Sequence, residues 1–164
     1  MPDVLIVHAS PLIFLGNAGR LDLLRSTGAS RIIVPEPVFD EVTSEGYADA
    51  AAKTIAAATW IERGASPDIP ASVLRWDLGP GESSVIATAL QLPGAYAVLD
   101  DLSGRKCGLT LGIGVVGTLG LIVAAYRRGM ISDPRAVLLE LRSAGMWLSD
   151  AVIAKALRIA GIES

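Results

Sequence analysis

Four short segments of this sequence are apolar at almost every position: VLIV (4–7), RIIV (31–34), YAVL (96–99) and GVV (114–116). A strand with one wet face alternates apolar and polar residues, whereas a continuous run of Val and Ile has no wet face. Such strands belong in a parallel sheet covered on both sides by helices, and helix-type segments do separate them. Residues 11–26 carry Leu12, Leu15, Leu21 and Leu24, with a glycine break. Residues 37–45 open on Pro37, a favoured first helical position, with Val38, Phe39 and Val42 on one side. The alanine-rich YADAAAKTIAAATWIERG predicts a helix ending at Gly64, and residues 82–92 predict another behind GPGE. Residues 65–81 hold three prolines and predict a loop. From about residue 118 the pattern is helical: 118–128, 134–144 behind Asp133-Pro134, and 150–160 behind Ser149, with Gly161 as a stop. Strands alternating with helices predict an α/β fold with a parallel sheet and right-handed crossovers. The linkers are short and the 164 residues suffice for one core, so residues 1–164 read as a single domain.

Composition narrows the class. Hydrophobic residues make up 51% of the chain and charged ones 19%, the balance of a compact protein. A net charge of −3 argues against non-specific polyanion binding, so any nucleic-acid contact needs a local basic patch. The single Cys107 has no partner for an internal disulfide, which fits a reducing, cytoplasmic setting. MPDVLIV lacks the basic region and cleavage site of a signal peptide. The uncharged stretch 107–126 is long enough to span a membrane. Its glycines and threonines weaken that reading, and it divides into a β-type run, GIGVVG, and a helix, TLGLIVAAYRRG. The expectation is no membrane span. GIGVVG also matches a dinucleotide-binding spacing, but the strand lies inside the motif rather than before it. Close packing explains the glycines more simply, and a nucleotide-binding protein is a distant rival.

In an open parallel sheet, ligands bind beyond the carboxyl ends of the strands. After the first strand comes His8-Ala9-Ser10, after the second Glu36, Asp40 and Glu41, and after the third Asp100 and Asp101, while Glu82 opens the preceding helix. Carboxylates converging there repel one another, and a hard divalent cation relieves that repulsion. Each acid also has an ordinary structural explanation. Glu36 and Glu82 suit helix N-termini, Asp100 suits a turn and Asp101 an N-cap, and Glu41 and Glu45 suit a solvated helix face. Glu41 is the least easily dismissed, since it borders Val42 at the edge of the apolar face.

Taken in order, VHASPLIFLGNAGRLDLL, IIVPEPVFDEV, GPGESSVIATAL and AVLDDLSGRKCGLTLGIGVVGTLGLIVAAYRRGMI resemble the PIN-domain proteins. The likeness is to a PIN-like branch associated with toxin–antitoxin loci, and it covers most of residues 4–145. The resemblance implies a three-layer α/β/α sandwich around a mainly parallel, four- or five-stranded sheet. It implies a metal-dependent endoribonuclease binding Mg²⁺ or Mn²⁺. Glu41, Glu82 and Asp100 would be the catalytic and metal-site acids, with Asp101 a neighbour or substitute and Ser10 in support. RNA as substrate and an antitoxin protein as partner follow as expectations, and a homodimer, or a surface open to a helical partner, is expected separately because the chain is unusually apolar for its size.

His8, the sole histidine, stands where that family has its first acid. Neutral imidazole is a poor Mg²⁺ ligand and a better one for Mn²⁺. His8 is therefore a softer ligand, a group hydrogen-bonded to Asp100, or the mark of a weakened site. An adjacent carboxylate would raise its pKa. The rival function keeps the fold without the chemistry: a nucleic-acid-binding or antitoxin-interacting module.

Overall fold

The computed structural model describes residues 2–44 and 49–162. Five parallel strands form one sheet in the order β3-β2-β1-β4-β5. They are β1 (Val4–Val7), β2 (Arg31–Pro35), β3 (Ile61–Gly64), β4 (Ala95–Val98) and β5 (Gly114–Val116). Helix α1 (Ala9–Asn17) and a 3-10 helix (Leu21–Thr27) join β1 to β2, and α2 (Glu36–Thr43) and α3 (Asp49–Ala57) join β2 to β3. Helices α4 (Ala71–Leu74) and α5 (Pro80–Gln91) lead to β4, and α6 (Leu102–Thr110) leads to β5. Helices α7 (Thr118–Arg127), α8 (Pro134–Ser143) and α9 (Asp150–Ala160) complete the chain.

The strand order explains the layers. The first crossovers step one way from β1, and the later ones return across the sheet and continue past β1. Right-handedness then places α5 and α6 on one face and α1 and α3 on the other. Helix α7 joins the α1 layer through the 3-10 helix and carries α8 and α9 against itself. All four residues of β1 are buried, as the continuous apolar run requires. Leu5, Ile6, Leu12, Ile86, Leu99 and Leu121 are among the fully buried side chains of the core.

Several expected elements change shape. The alanine-rich helix ends at Ala57, and Ile61–Gly64 is a fifth strand rather than its last turn. Its ends are half-buried and Glu62 and Arg63 are exposed, so this edge strand lacks the apolar run that marked the others. The start expected at Tyr47 lies outside the described residues. The predicted 11–26 helix divides into α1 and the 3-10 helix, and the proline-rich loop contains the short α4. The uncharged 107–126 stretch is divided among α6, β5 and α7, and among the described residues no helix is long and apolar enough to cross a membrane. Gly114 is packed under the ring of Tyr96, where no Cβ fits, which supports the packing reading of GIGVVG.

Register aligns the strand ends. Val7 lies opposite Val98, and Val98 opposite Val116. The His8 amide donates to the Val98 carbonyl at 3.1 Å, and the Leu99 amide to the Val116 carbonyl at 3.0 Å. The residues after β1, β4 and β5 thus leave the sheet side by side. Because β1 is central and dry, Leu5→Ala should cost about 2–5 kcal/mol in urea unfolding. Leu74→Ala, at a side chain 60% exposed, should change stability by less than about 0.5 kcal/mol.

Candidate active site

His8 is the N-cap of α1, but its side chain makes no capping hydrogen bond. The ring is buried and its Nε2 lies 3.9 Å from Glu41 Oε2. Glu41 arrives from α2, whose buried Val38 and Val42 anchor the apolar side and leave Glu41 half-buried. Gly81, in the first turn of α5, closes this corner. A Cβ there would lie 2.6 Å from Glu41 Oε2 and 3.1 Å from His8 Nε2. A side chain at Gly81 would displace the Glu41 carboxylate from beside His8, and the next residue, Glu82, lies on the same helix turn. The Gly79 backbone N–H, at the N-cap of α5, holds the Glu82 carboxylate, which is half of a capping box.

Asp100 is the most firmly held acid. Its Oδ1 accepts from the Thr118 amide at 2.8 Å and its Oδ2 from the Thr118 hydroxyl at 2.6 Å. Thr118 is fully buried at the start of α7, so this pair ties the end of β4 to the helix after β5. Asp101 caps α6, accepting from the Ser103 and Gly104 amides at 2.9 and 3.1 Å. The capping alternative for Asp101 is thus correct. Ser10 is half-buried in the first turn of α1. Glu36 and Asp40 turn instead to Arg63, at 3.2 and 3.3 Å.

The electrostatics show a deficit of positive charge. Burial pushes the Glu41 pKa up. Glu82 is also pushed up, first by burial, then by the charges of Asp101 and Glu41, against the opposing Gly79 hydrogen bond. His8 moves down, contrary to the sequence-based expectation, because burial outweighs the upward pull of Asp100 and Asp101. It is not hydrogen-bonded to Asp100, whose two oxygens are taken by Thr118. Its nearest ionic neighbour is Glu41.

This donor set suits a divalent cation in charge and chemistry: two carboxylates reluctant to ionise, a third fixed nearby, and a neutral imidazole. It is not assembled in geometry. Among the described residues, no group of three His, Cys, Asp or Glu side chains is placed to hold a metal ion. The sequence reading missed Arg105, whose guanidinium Nη1 donates to the Leu99 carbonyl at 3.0 Å. A Cβ on Gly117 would meet this group at 2.6 Å and Asp100 Oδ1 at 3.0 Å. Its signal was only its place after the Asp100-Asp101 pair.

A PIN-domain family model matches residues 4–162. The chain belongs to the PIN-domain family, a nuclease-type fold whose members are generally dependent on divalent metals. No curated protein matches it in sequence.

Two titrations check the charge balance in metal-free buffer. The folded protein binds protons at Glu41 and Glu82 more readily than the unfolded chain does, so their charged forms oppose folding above the ordinary value of 4.5. Glu41→Gln and Glu82→Gln should therefore raise Tm near neutral pH, and the gain should vanish as pH falls below 4.5. His8 works in the opposite sense: its contribution to stability is lost as pH falls below 6.5. As the sole histidine, it gives one imidazole NMR signal, which should titrate below 6.5 and lower still in Asp101→Asn.

Proposed function

We propose that this protein is an endoribonuclease of PIN type, with Glu41, Glu82 and Asp100 as its working acids and Asp101 beside them. The observation that carries the reading is the approach of His8 to Glu41 beside Gly81, at 3.9 Å, with the half-buried Glu82 on the same helix turn close enough to feel the Glu41 charge. Glu41, Glu82 and Asp100 would hold Mg²⁺ or Mn²⁺, with Mn²⁺ better suited to a nearby imidazole. Such an ion supplies polarisation of water and phosphate and offsets the negative charge that develops on the phosphodiester. The protein's own part is positioning. Thr118 fixes both oxygens of Asp100, Gly81 leaves room beside His8 and Glu41, and burial keeps the His8 ring neutral near neutral pH. Ser10, in the first turn of α1, is the supporting hydroxyl of this reading.

A second reading, a nucleic-acid-binding or antitoxin-interacting module of weakened activity, is favoured by His8 in the place of an acid and by the unassembled geometry. Toxin-type action, an antitoxin partner, a homodimer and a cytoplasmic setting extend the proposal.

Cleavage of an unstructured, end-labelled RNA in Mg²⁺, in Mn²⁺ and in chelator separates the two. The ribonuclease reading expects internal cuts that need an ion and are faster in Mn²⁺. Thr118→Val, which frees one Asp100 oxygen, should lower the rate by about 10–100-fold. Asp100→Asn should lower it further. His8→Asp restores a hard oxygen donor and should raise the rate in Mg²⁺. No cutting with either ion, by wild type or His8→Asp, would leave the binding module as the function.

A further inference from the structure

A groove of about 1060 Å³ runs along β5, α7 and α9 and reaches Asp100. Its charge is the opposite of the chain's. The protein carries a net −3, yet the groove is lined by Arg105, Arg127, Arg128 and Lys155, with Asp100 as its one carboxylate. That carboxylate is already bonded through both oxygens to Thr118. None of the four cations is ion-paired among the described residues, so their charge along the groove is not neutralised by a protein carboxylate. Arg105 and Arg127 each give one N–H to a backbone carbonyl, of Leu99 and Ile159, and keep others for a ligand.

Two further features point to an occupant. Trp147 lines the groove and is 88% exposed, a large indole face with almost no protein cover. Ser26, fully buried, also lines it, and its hydroxyl has no hydrogen-bond partner. A buried, unpaired hydroxyl is costly unless a ligand or water satisfies it.

We infer that this groove is the track for single-stranded RNA leading to the acids, with Arg105, Arg127, Arg128 and Lys155 on its phosphates and Trp147 stacked on a base. The inference rests on the RNA-directed reading above and adds where the strand lies. Cations along an apolar trough, with an aromatic platform, match the sequence-tolerant way proteins hold single strands. A duplex fits poorly, because its bases are already stacked and present no free face to Trp147. Arg105, beside Asp100, is the phosphate contact nearest the acids. Of the proposed working acids, Asp100 is the one that lines the groove.

The test is fluorescence anisotropy with a labelled oligouridylate in chelator, so that binding is read without cleavage. Wild type should bind, and should bind a duplex of equal length more weakly. Four phosphate contacts predict a slope of log affinity on log salt of roughly −3. The double variant Arg128→Gln/Lys155→Gln should lower that slope by about 1.4. Trp147→Ala should weaken binding at least about five-fold. This exposed side chain is not needed for folding, and an unchanged circular dichroism spectrum would check that. Normal binding by both variants would overturn the track even if the protein cuts RNA. Groove-dependent binding with no cutting in any ion would keep the track and remove the nuclease. If wild type binds no RNA but self-associates, and Trp147→Ala abolishes the association, the groove is a protein interface and the inference fails.

Discussion

The whole arrangement depends on β1 being dry on both faces. Val4–Val7 has no polar residue to offer water, so it must lie in the middle of the sheet between β2 and β4. Parallel pairing then forces every strand to end at the same edge. His8, Glu41 and Asp100 are separated by dozens of residues in sequence, but each leaves the sheet, or the helix after it, at that edge. Burying a short apolar tetrapeptide is thus the step that concentrates charge elsewhere.

That concentration has to be contained, and the structure does so unevenly. Asp100 and Asp101 are satisfied by fixed donors: Thr118 for the first, the N-terminus of α6 for the second. Glu41 and Glu82 are not. They stay partly buried with raised pKa values and repel each other, a standing cost to stability near neutral pH. A residue set that folds at a cost is a reasonable place to look for function, since packing alone would replace such acids with neutral ones. On the other side of Asp100, Arg105, Arg127, Arg128 and Lys155 line the groove with no ion-pair partner among the described residues.

Four strands and their parallel pairing could be read from the chain because continuous apolar runs report burial directly, whereas the strand order came only with the structure. The fifth strand could not. Ile61–Gly64 lies at the open edge, where Arg31 and Glu62 pair at 2.8 Å across solvent-exposed positions, so its sequence reads as surface. An alanine-rich stretch running into it made a longer helix the natural reading. The acids were legible as residues that follow strands. Their division of labour was not, because Asp101 as cap and Asp100 as Thr118 partner depend on where α6 and α7 begin. His8 was misjudged in sign for a related reason: sequence names its charged neighbours but not how deeply the ring is buried. The groove was illegible altogether, since Arg105, Trp147 and Ser26 come from distant segments and form a lining only once α7 and α9 are docked.

His8 is where these threads meet. An aspartate at that position would add a further negative charge to a corner in which Glu41 and Glu82 are already reluctant to ionise. Imidazole removes that charge while leaving a donor or acceptor atom within 4 Å of Glu41. The apo protein is relieved of repulsion, and affinity for a hard cation falls for the same reason. Stability without metal and affinity for metal therefore pull in opposite directions at one residue. The neutral ring in the fold favours the first, so any ion that binds must gain enough from Glu41, Glu82 and Asp100 to make up for the charge that His8 does not supply.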